Sequence, residues 1–392
     1  MSAAVIVDVI RSPMGKGKSS GSLAGLHPSD LLGQLLATLV YRQDLDPGLV
    51  EDVLVGCVGQ VGEQSATPGR QALLAAGFPE HVPSVTIERK CGSSQQALDF
   101  AVQGVQAGAY SVVIAAGIES MSRVPMGSAR MGKDPFGAGV AARYPVLVPQ
   151  GVAAELVADK WGLSREDLDS YAARSHQRAA EARARGWFED EISSIRTDAG
   201  VVDSDETIRE STTVEALGKL PAAFDTEEYR DRFPELDWKI TAGNSSQITD
   251  GASAMLVMSE ERAAQLGMTP RARVVASAVC GDDPMLMLTG PIPATAMVLD
   301  RSGLDLADLA AVEVNEAFAS VPLAWQREYP VADAVLNPHG GAIALGHPLG
   351  ASGGRLTATL LNHLERTGGR YGLQTMCEAG GMANAMIIEA LS

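Results

Sequence analysis

Four segments of this sequence carry side chains able to perform acyl transfer through a covalent intermediate. Cys91 follows the strand-like run Val85-Thr86-Ile87 and opens Cys91-Gly92-Ser93-Ser94-Gln95-Gln96-Ala97-Leu98, which reads as a helix. A thiol at a helix start faces unpaired backbone N–H groups and the positive end of the dipole, and Arg89 and Lys90 adjoin it. Its pKa is therefore expected to fall, favouring the thiolate; an inert buried cysteine fits the same feature. Asn337 to Gly353 forms a dense glycine loop leading into a helix, and His347 stands in it between Gly346 and Pro348. That restricted backbone suits a base that must keep one orientation beside a thiol. Cys377 lies at the end of a strand-like run and is followed by small residues, and Asn315 sits just past another, where its amide could hold a water or an oxyanion.

The elements that must bring these residues together alternate between strand and helix. Val5-Ile6-Val7, Val53-Leu54-Val55 and Val112-Val113-Ile114 have strand length, and the stretches between them follow helical periodicity. Ser29 to Tyr41 puts Leu31, Leu35, Leu36 and Leu39 on one helical face, with Pro28 ahead of it. The first and last thirds of the chain match at a fixed offset of 259 residues in three separated segments. Leu45 to Val55 pairs with Leu304 to Val314, Cys91 to Ser94 with Gly350 to Gly353, and Ile114 to Glu119 with Leu373 to Glu378. Two copies of one α/β unit follow, with a different stretch inserted after the first. The repeat sets the His347 loop opposite the Cys91 segment, and Cys377 at the end of the strand equivalent to that bearing Glu119. The insert is rich in Gly, Met and Pro from Met121 to Pro149 and helical from Gly151 to Arg185, with a Ser164 cap followed by early acids.

Composition narrows the partners. At 392 residues and 46% hydrophobic, the chain can bury more than one core. A formal charge of −17 disfavours nucleic acid and membrane surfaces, both anionic. Arg174, Arg178, Arg183 and Arg185, on one predicted helix, read either as a local patch for an anionic ligand or as a solvated face. The four cysteines are far apart and form no CxxC pair, which argues against a zinc site or a disulfide framework. Met1 to Ile10 reads as a strand rather than a signal peptide, no apolar run reaches membrane-spanning length, and the C-terminus has no peroxisomal address. A reducing cytoplasm is the expected location.

Together, CGSS at Cys91, NEAF at Asn315, GGAIALGHPLGASG around His347 and CEAGG at Cys377 resemble the thiolase family, and the resemblance spans nearly the whole chain. TAGNSSQITDGASA from Thr241 to Ala254 and the turn Thr289-Gly290-Pro291 are similar to thiolase segments too. The resemblance implies a thiolase-like five-layered α-β-α-β-α core of two duplicated domains, plus an inserted loop domain. The expected boundaries are 1–119 with 248–268 for the first core domain, 120–247 for the loop domain and 269–392 for the second core domain.

It also implies thiolytic cleavage of a 3-oxoacyl-CoA, with coenzyme A as co-substrate, no covalently bound cofactor and no metal, in a homodimer or homotetramer. By resemblance Cys91 is the nucleophile, His347 activates it, and Cys377 exchanges the proton of the acetyl-CoA enolate. One anion hole maps to His347 and a water held by Asn315, and the other to the backbone N–H groups of Cys91 and Ala379. Ser246 lies along the pantetheine. Phe318, Gln150 and Leu220 fall at substrate or CoA contacts, and Met121 to Gly139 at tetramer contacts.

Three departures stand out. Ala379 replaces the usual glycine, which costs about 1 kcal/mol if the position needs positive φ. Pro149-Gln150-Gly151 stands where acetoacetyl-CoA-specific relatives carry His-Met before the glycine, which points to a degradative enzyme for longer or bulkier chains rather than a biosynthetic acetoacetyl-CoA thiolase. Leu220-Pro221-Ala222 lacks an arginine that some relatives use near the adenine. A β-ketoacyl synthase would have a second histidine in place of Cys377. A silent CoA- or lipid-binding relative would not need Cys91, Asn315, His347 and Cys377 together.

Overall fold

The computed structural model describes residues 3–391; Met1 and Ser2, at the start of the expected first strand, and Ser392 lie outside the described residues. The first copy comprises β1 (Ala4–Arg11), α1 (Pro28–Arg42), β2 (Asp52–Gly56), α2 (Pro68–Ala75), β3 (Ser84–Ile87), α3 (Ser93–Gln106) and β4 (Val112–Ser120). Two long helices, α4 (Gln150–Lys160) and α5 (Arg165–Ala184), intervene before β5 (Thr249–Ser259) completes that unit. The second copy runs β6 (Ala272–Gly281), α6 (Pro291–Ser302), β7 (Leu309–Val314), α7 (Ser320–Glu328), α8 (Ser352–Thr367), β8 (Tyr371–Glu378) and β9 (Met382–Ala390). The repeat holds at the level of hydrogen-bond register. Val53 pairs with Ile114 in the first copy, and Val312 with Leu373 in the second, each partner displaced by 259 residues.

Hydrophobic patterning explains the individual elements. In α1 the leucines predicted for one face are buried, and Pro28 occupies the first turn, where its missing N–H has no intrahelical partner to lose. Ser164 caps α5 in a reciprocal capping box with Asp167.

The strands run in the order β7-β8-β9-β6-β1-β5-β4-β2-β3, with Gly15–Lys16 pairing to β5. The halves meet edge to edge through one bridging pair, Ile6 with Ala272, so they form a single continuous sheet. Successive strand residues point to opposite faces, and this alternation sorts the apolar side chains into three cores. Val53, Val55, Ile114 and Ala116 pack under α1 and α2. Leu54, Val113 and Ala115 of the first half and Ala311, Met386 and Ile388 of the second face one another across α3 and α8. Val312, Val314, Leu373 and Ile387 pack outward against α6 and α7. The result is five layers, α-β-α-β-α, with α3 and α8 as the central pair. Although inserted after the first copy, α4 and α5 share the core of the second half.

The central pair touches backbone to backbone at its N-terminal ends. A Cβ on Gly353 would stand 2.4 Å from Gln95 N, and one on Gly56 would stand 2.4 Å from Ser94 N. Contacts this close exclude any side chain at either glycine. Gly353→Ala is expected to destabilise the protein by about 1–3 kcal/mol through overpacking. Gly25→Ala, which meets nothing within 4 Å, serves as its control. Differential scanning fluorimetry should show a midpoint several degrees lower for the first variant and unchanged for the second.

Candidate active site

The nucleophile candidate sits where β3 hands over to the central layer. Lys90 adopts a left-handed φ of 47°, and Cys91 follows it, two residues ahead of α3. This sparsely populated backbone turns the thiol across the duplication. Cys91 is buried against Leu356 of α8 and Met376 of β8, both from the second copy. Cys377, one residue beyond Met376, is buried as well, and a charge on Cys91 raises its pKa.

The thiol is not activated at rest. Burial, and after it the neighbouring Glu378, push Cys91 up to about 12, while its own backbone N–H and Lys90 act weakly the other way. The expected lowering by a helix start and basic neighbours is thus reversed. The helix begins two residues later, and desolvation of a thiolate outweighs a partial dipole charge. Cys377 is raised well above the ordinary thiol value by burial, then by Cys91 and Glu378. The four cysteines are free, and no group of three His, Cys, Asp or Glu among the described residues could hold a metal.

His347 is fixed at three points. Its N–H donates to Thr249 Oγ1 at 3.0 Å, its Nδ1 lies 2.6 Å from Ser352 Oγ, and its Nε2 lies 3.4 Å from Asn315 Nδ2. Ser352 Oγ gives its only proton to Pro348 O at 2.9 Å, so the ring contact is assigned as Nδ1–H donating to Ser352, which leaves the Nε2 lone pair facing Asn315. Burial, followed by Arg355, pushes the imidazole down to about 3, so it is neutral near pH 7. Asn315 Oδ1 is buried without a hydrogen-bond partner in the protein. The adjoining Glu316 accepts from Tyr171, Ser175, Asn337 Nδ2 and the N–H of Ile343, tying the Asn315 turn to α5 and to the glycine loop.

Ala379 is not left-handed; the positive-φ positions of its turn are Gly380 at 97° and Gly381 at 76°. The conditional strain at Ala379 therefore does not arise. Ser246 is half-buried and donates its N–H to Ala317 O at 3.0 Å, which places it beside Phe318. The Phe318 ring meets Phe224 edge-on at 6.2 Å, and Phe224 packs so closely on Gly151 that a Cβ there would stand 2.1 Å away. Gln150, at the start of α4, adjoins that aromatic pair. Leu220 lies farther out in an open cleft of about 740 Å³, with Arg183, Arg209, Ser211 and Thr212 among its lining residues.

The arginine patch on α5 is largely engaged within the chain. Arg174 pairs with Asp333, Arg178 donates to the carbonyls of Asp333, Leu336 and Asn337, and Arg183 pairs with Glu210. Sequence reasoning passed over Ser352, Thr249 and Arg209. Of these, only Ser352 carried a signal, as the repeat equivalent of Ser93.

Glu378 is buried with neither carboxylate oxygen partnered, and burial raises it to about 8. It is neutral below that pH and charged above it, and its charge pushes the Cys91 thiol up further. The sign follows: Glu378→Gln should speed iodoacetamide alkylation of Cys91 at pH 9 several-fold, with little change at pH 6.5, as read by peptide mass spectrometry.

Comparison with known proteins fits this geometry. The thiolase N-terminal domain model matches residues 4–261 and the thiolase C-terminal domain model residues 268–390. The steroid 3-ketoacyl-CoA thiolase FadA6 of Mycobacterium tuberculosis is 44% identical, over 100% of this chain and 95% of that protein. A β-ketoadipyl-CoA thiolase of Escherichia coli is 42% identical, over 99% of this chain and 100% of that one. The crystal structure of the Bacillus anthracis acetyl-CoA acetyltransferase superposes with a TM-score of 0.88 at 35% identity, covering 100% of this chain and 99% of its own. A buried thiol pair, a neutral imidazole held by Ser352 and Asn315, and two full-length domain matches converge on one conclusion: the chain belongs to the thiolase family of acyltransferases.

Proposed function

We propose that the protein cleaves 3-oxoacyl-CoA with coenzyme A in a degradative direction, through an acyl group carried on Cys91. The observation that carries this reading is Cys91 of the first copy buried against Met376 of the second, the residue next to Cys377, in a structure that also holds His347 neutral with Nδ1–H on Ser352 and the Nε2 lone pair toward Asn315.

In the first half-reaction His347 Nε2 accepts the Cys91 proton as sulfur attacks the 3-keto carbon. The oxygen becomes an anion held by the N–H groups of Cys91 and Ala379. Collapse breaks the bond between C2 and C3, and the electron pair passes to the thioester as an enolate, steadied by imidazolium and an Asn315-held water. Cys377 gives its proton to C2, and acetyl-CoA departs. In the second half-reaction the Cys377 thiolate takes the proton of the incoming CoA thiol. Its sulfur displaces Cys91, which recovers its proton from His347, and a shortened acyl-CoA leaves. Each well-aimed hydrogen-bond donor contributes about 3–4 kcal/mol at such a transition state. A neutral thiol and imidazole at rest suit this scheme, since proton transfer then accompanies carbon–sulfur bond formation.

We assign CoA to the loop domain 120–247, between core domains 1–119 with 248–268 and 269–392. Pantetheine runs past Ser246 and Phe318, and the nucleotide lies toward the cleft with Leu220 and Arg209. No metal or resident cofactor takes part. The absence of a His-Met pair at Pro149-Gln150 favours longer or bulkier acyl chains, and the name of the Mycobacterium tuberculosis relative supports it.

A second copy of the chain would pair along β3. That strand ends the sheet and leaves Val85 exposed, with Leu74 and Phe100 exposed on the adjoining helices. Such an open apolar edge is stable only when covered. Met126, Met131 and Phe136, exposed in the insert, suit contacts that join dimers into tetramers. No helix among the described residues is long and apolar enough to cross a membrane.

Intact-mass spectrometry after exposure to a panel of acyl-CoAs should show one acyl group, absent in Cys91→Ala. Thiolysis should be faster with longer 3-oxoacyl-CoAs than with acetoacetyl-CoA; undiminished thiolysis in Cys91→Ala, or strict preference for four carbons, would count against the respective part. Ser352→Ala leaves the His347 Nδ1–H without its acceptor, and kcat should fall roughly 10- to 100-fold, the effect of orphaning a buried donor. The KM for CoA should stay near wild type in steady-state assays.

A further inference from the structure

The duplication places a second, occupied version of the anion hole at the symmetry-related position between the two copies. At the offset of 259 residues Cys91 corresponds to Gly350, Cys377 to Ile118, Glu378 to Glu119 and Ala379 to Ser120. The N–H groups of Gly350 and Ser120 are thus equivalents of the two donors assigned above to the tetrahedral oxygen. Neither is open. Gly350 N–H donates to Glu119 Oε2 at 2.9 Å, and Ser120 N–H donates to Gln64 Oε1 at 2.6 Å. Gln64 Nε2 in turn donates to Glu119 Oε1 at 2.8 Å, and the N–H groups of Val58 and Gly59 each reach the same carboxylate at 2.9 Å. Glu119 and Gln64 are buried, and all four donors converge on one carboxylate. An acceptor-only group with two oxygens suits such a nest of donors.

The nucleophile's equivalent is absent there for a steric reason. A Cβ on Gly350 would lie 2.5 Å from Ile118 O and 2.8 Å from Cys57 Cα. The duplicate site thus has a glycine of the second copy for the cysteine and a carboxylate of the first copy in place of a transient oxyanion. That carboxylate acts on the second copy. Gly350 lies three residues after His347 and two before Ser352, so the loop holding the imidazole is pinned at one end by Thr249 and at the other by Glu119.

We propose that Glu119, backed by Gln64, is a positioning residue for the reaction: its carboxylate fills the duplicate anion hole and, through Gly350, fixes the loop that aims His347 at Cys91. This inference rests on the role of His347 proposed above.

The test uses the full-length protein and the variants Glu119→Gln and Gln64→Met. An amide at 119 presents a donor to two of the four N–H donors whichever way it turns, so the clamp loses the charge and two of its four hydrogen bonds. In Glu119→Gln, kcat for thiolysis should fall about 100-fold, with the KM for CoA within about threefold of wild type. Gln64→Met removes one donor and leaves the Gly350 contact, and should lower kcat about tenfold with the same unchanged KM. Circular dichroism and size-exclusion chromatography report whether each variant is folded. A folded Glu119→Gln with wild-type kcat overturns the proposal; if that variant does not fold, wild-type kcat in Gln64→Met does so. Thiolysis surviving Cys91→Ala would instead overturn the parent reading, which no Glu119 result can imitate.

Discussion

The structure depends on the close approach of the α3 and α8 N-terminal ends in the middle layer. With the two halves of the sheet facing a single pair of helices, Cys91 reaches Met376 of β8 through close backbone contact between the copies. Gly353 against Gln95, and Gly56 and Gly117 against Gly350, make that contact possible. A side chain at any of these points would push the halves apart and widen the site, because densely packed layers do not deform locally. The glycines read in the sequence as loop flexibility thus act here as spacers of minimal thickness.

Around that contact the His347 loop is held from both copies. Thr249, on β5 of the first copy, accepts from the His347 backbone N–H, while Ser352 and Asn315 of its own copy face the two ring nitrogens. Glu316 carries the constraint outward to Tyr171 and Ser175 of α5. The insert therefore braces the glycine loop directly, consistent with α4 and α5 sharing a core with the second half.

Much of this was legible in the sequence. The offset of 259 residues reappears as strand register, and the leucine face of α1, the cap of α5 and the α/β alternation all follow from local periodicity and chemistry. Long-range electrostatics was not legible. Arg89 and Lys90 beside Cys91 suggested a lowered pKa, but the burial that raises it comes from Leu356 and Met376, more than 260 residues away. The arginines of α5 read as an anion patch or a solvated face because their partners, at 333–337 for Arg174 and Arg178 and at 210 for Arg183, lie in other segments. The strain feared at Ala379 vanished because Gly380 and Gly381 take the left-handed positions, a distribution that depends on how the turn closes onto β9. The single continuous sheet, joined by Ile6 and Ala272, also lay beyond a pattern that shows strands but not which edges meet.

The protonated state of the resting Cys91 has a consequence outside turnover. Sulfur is oxidised and alkylated chiefly as the thiolate, so a thiol pushed up to about 12 in a buried niche is chemically quiet toward peroxides and stray electrophiles. The same burial that keeps the nucleophile protonated shields it between turnovers, and a bound substrate supplies the carbon that sulfur attacks as its proton passes to His347. Reactivity in this architecture belongs to the assembled complex rather than to the cysteine itself.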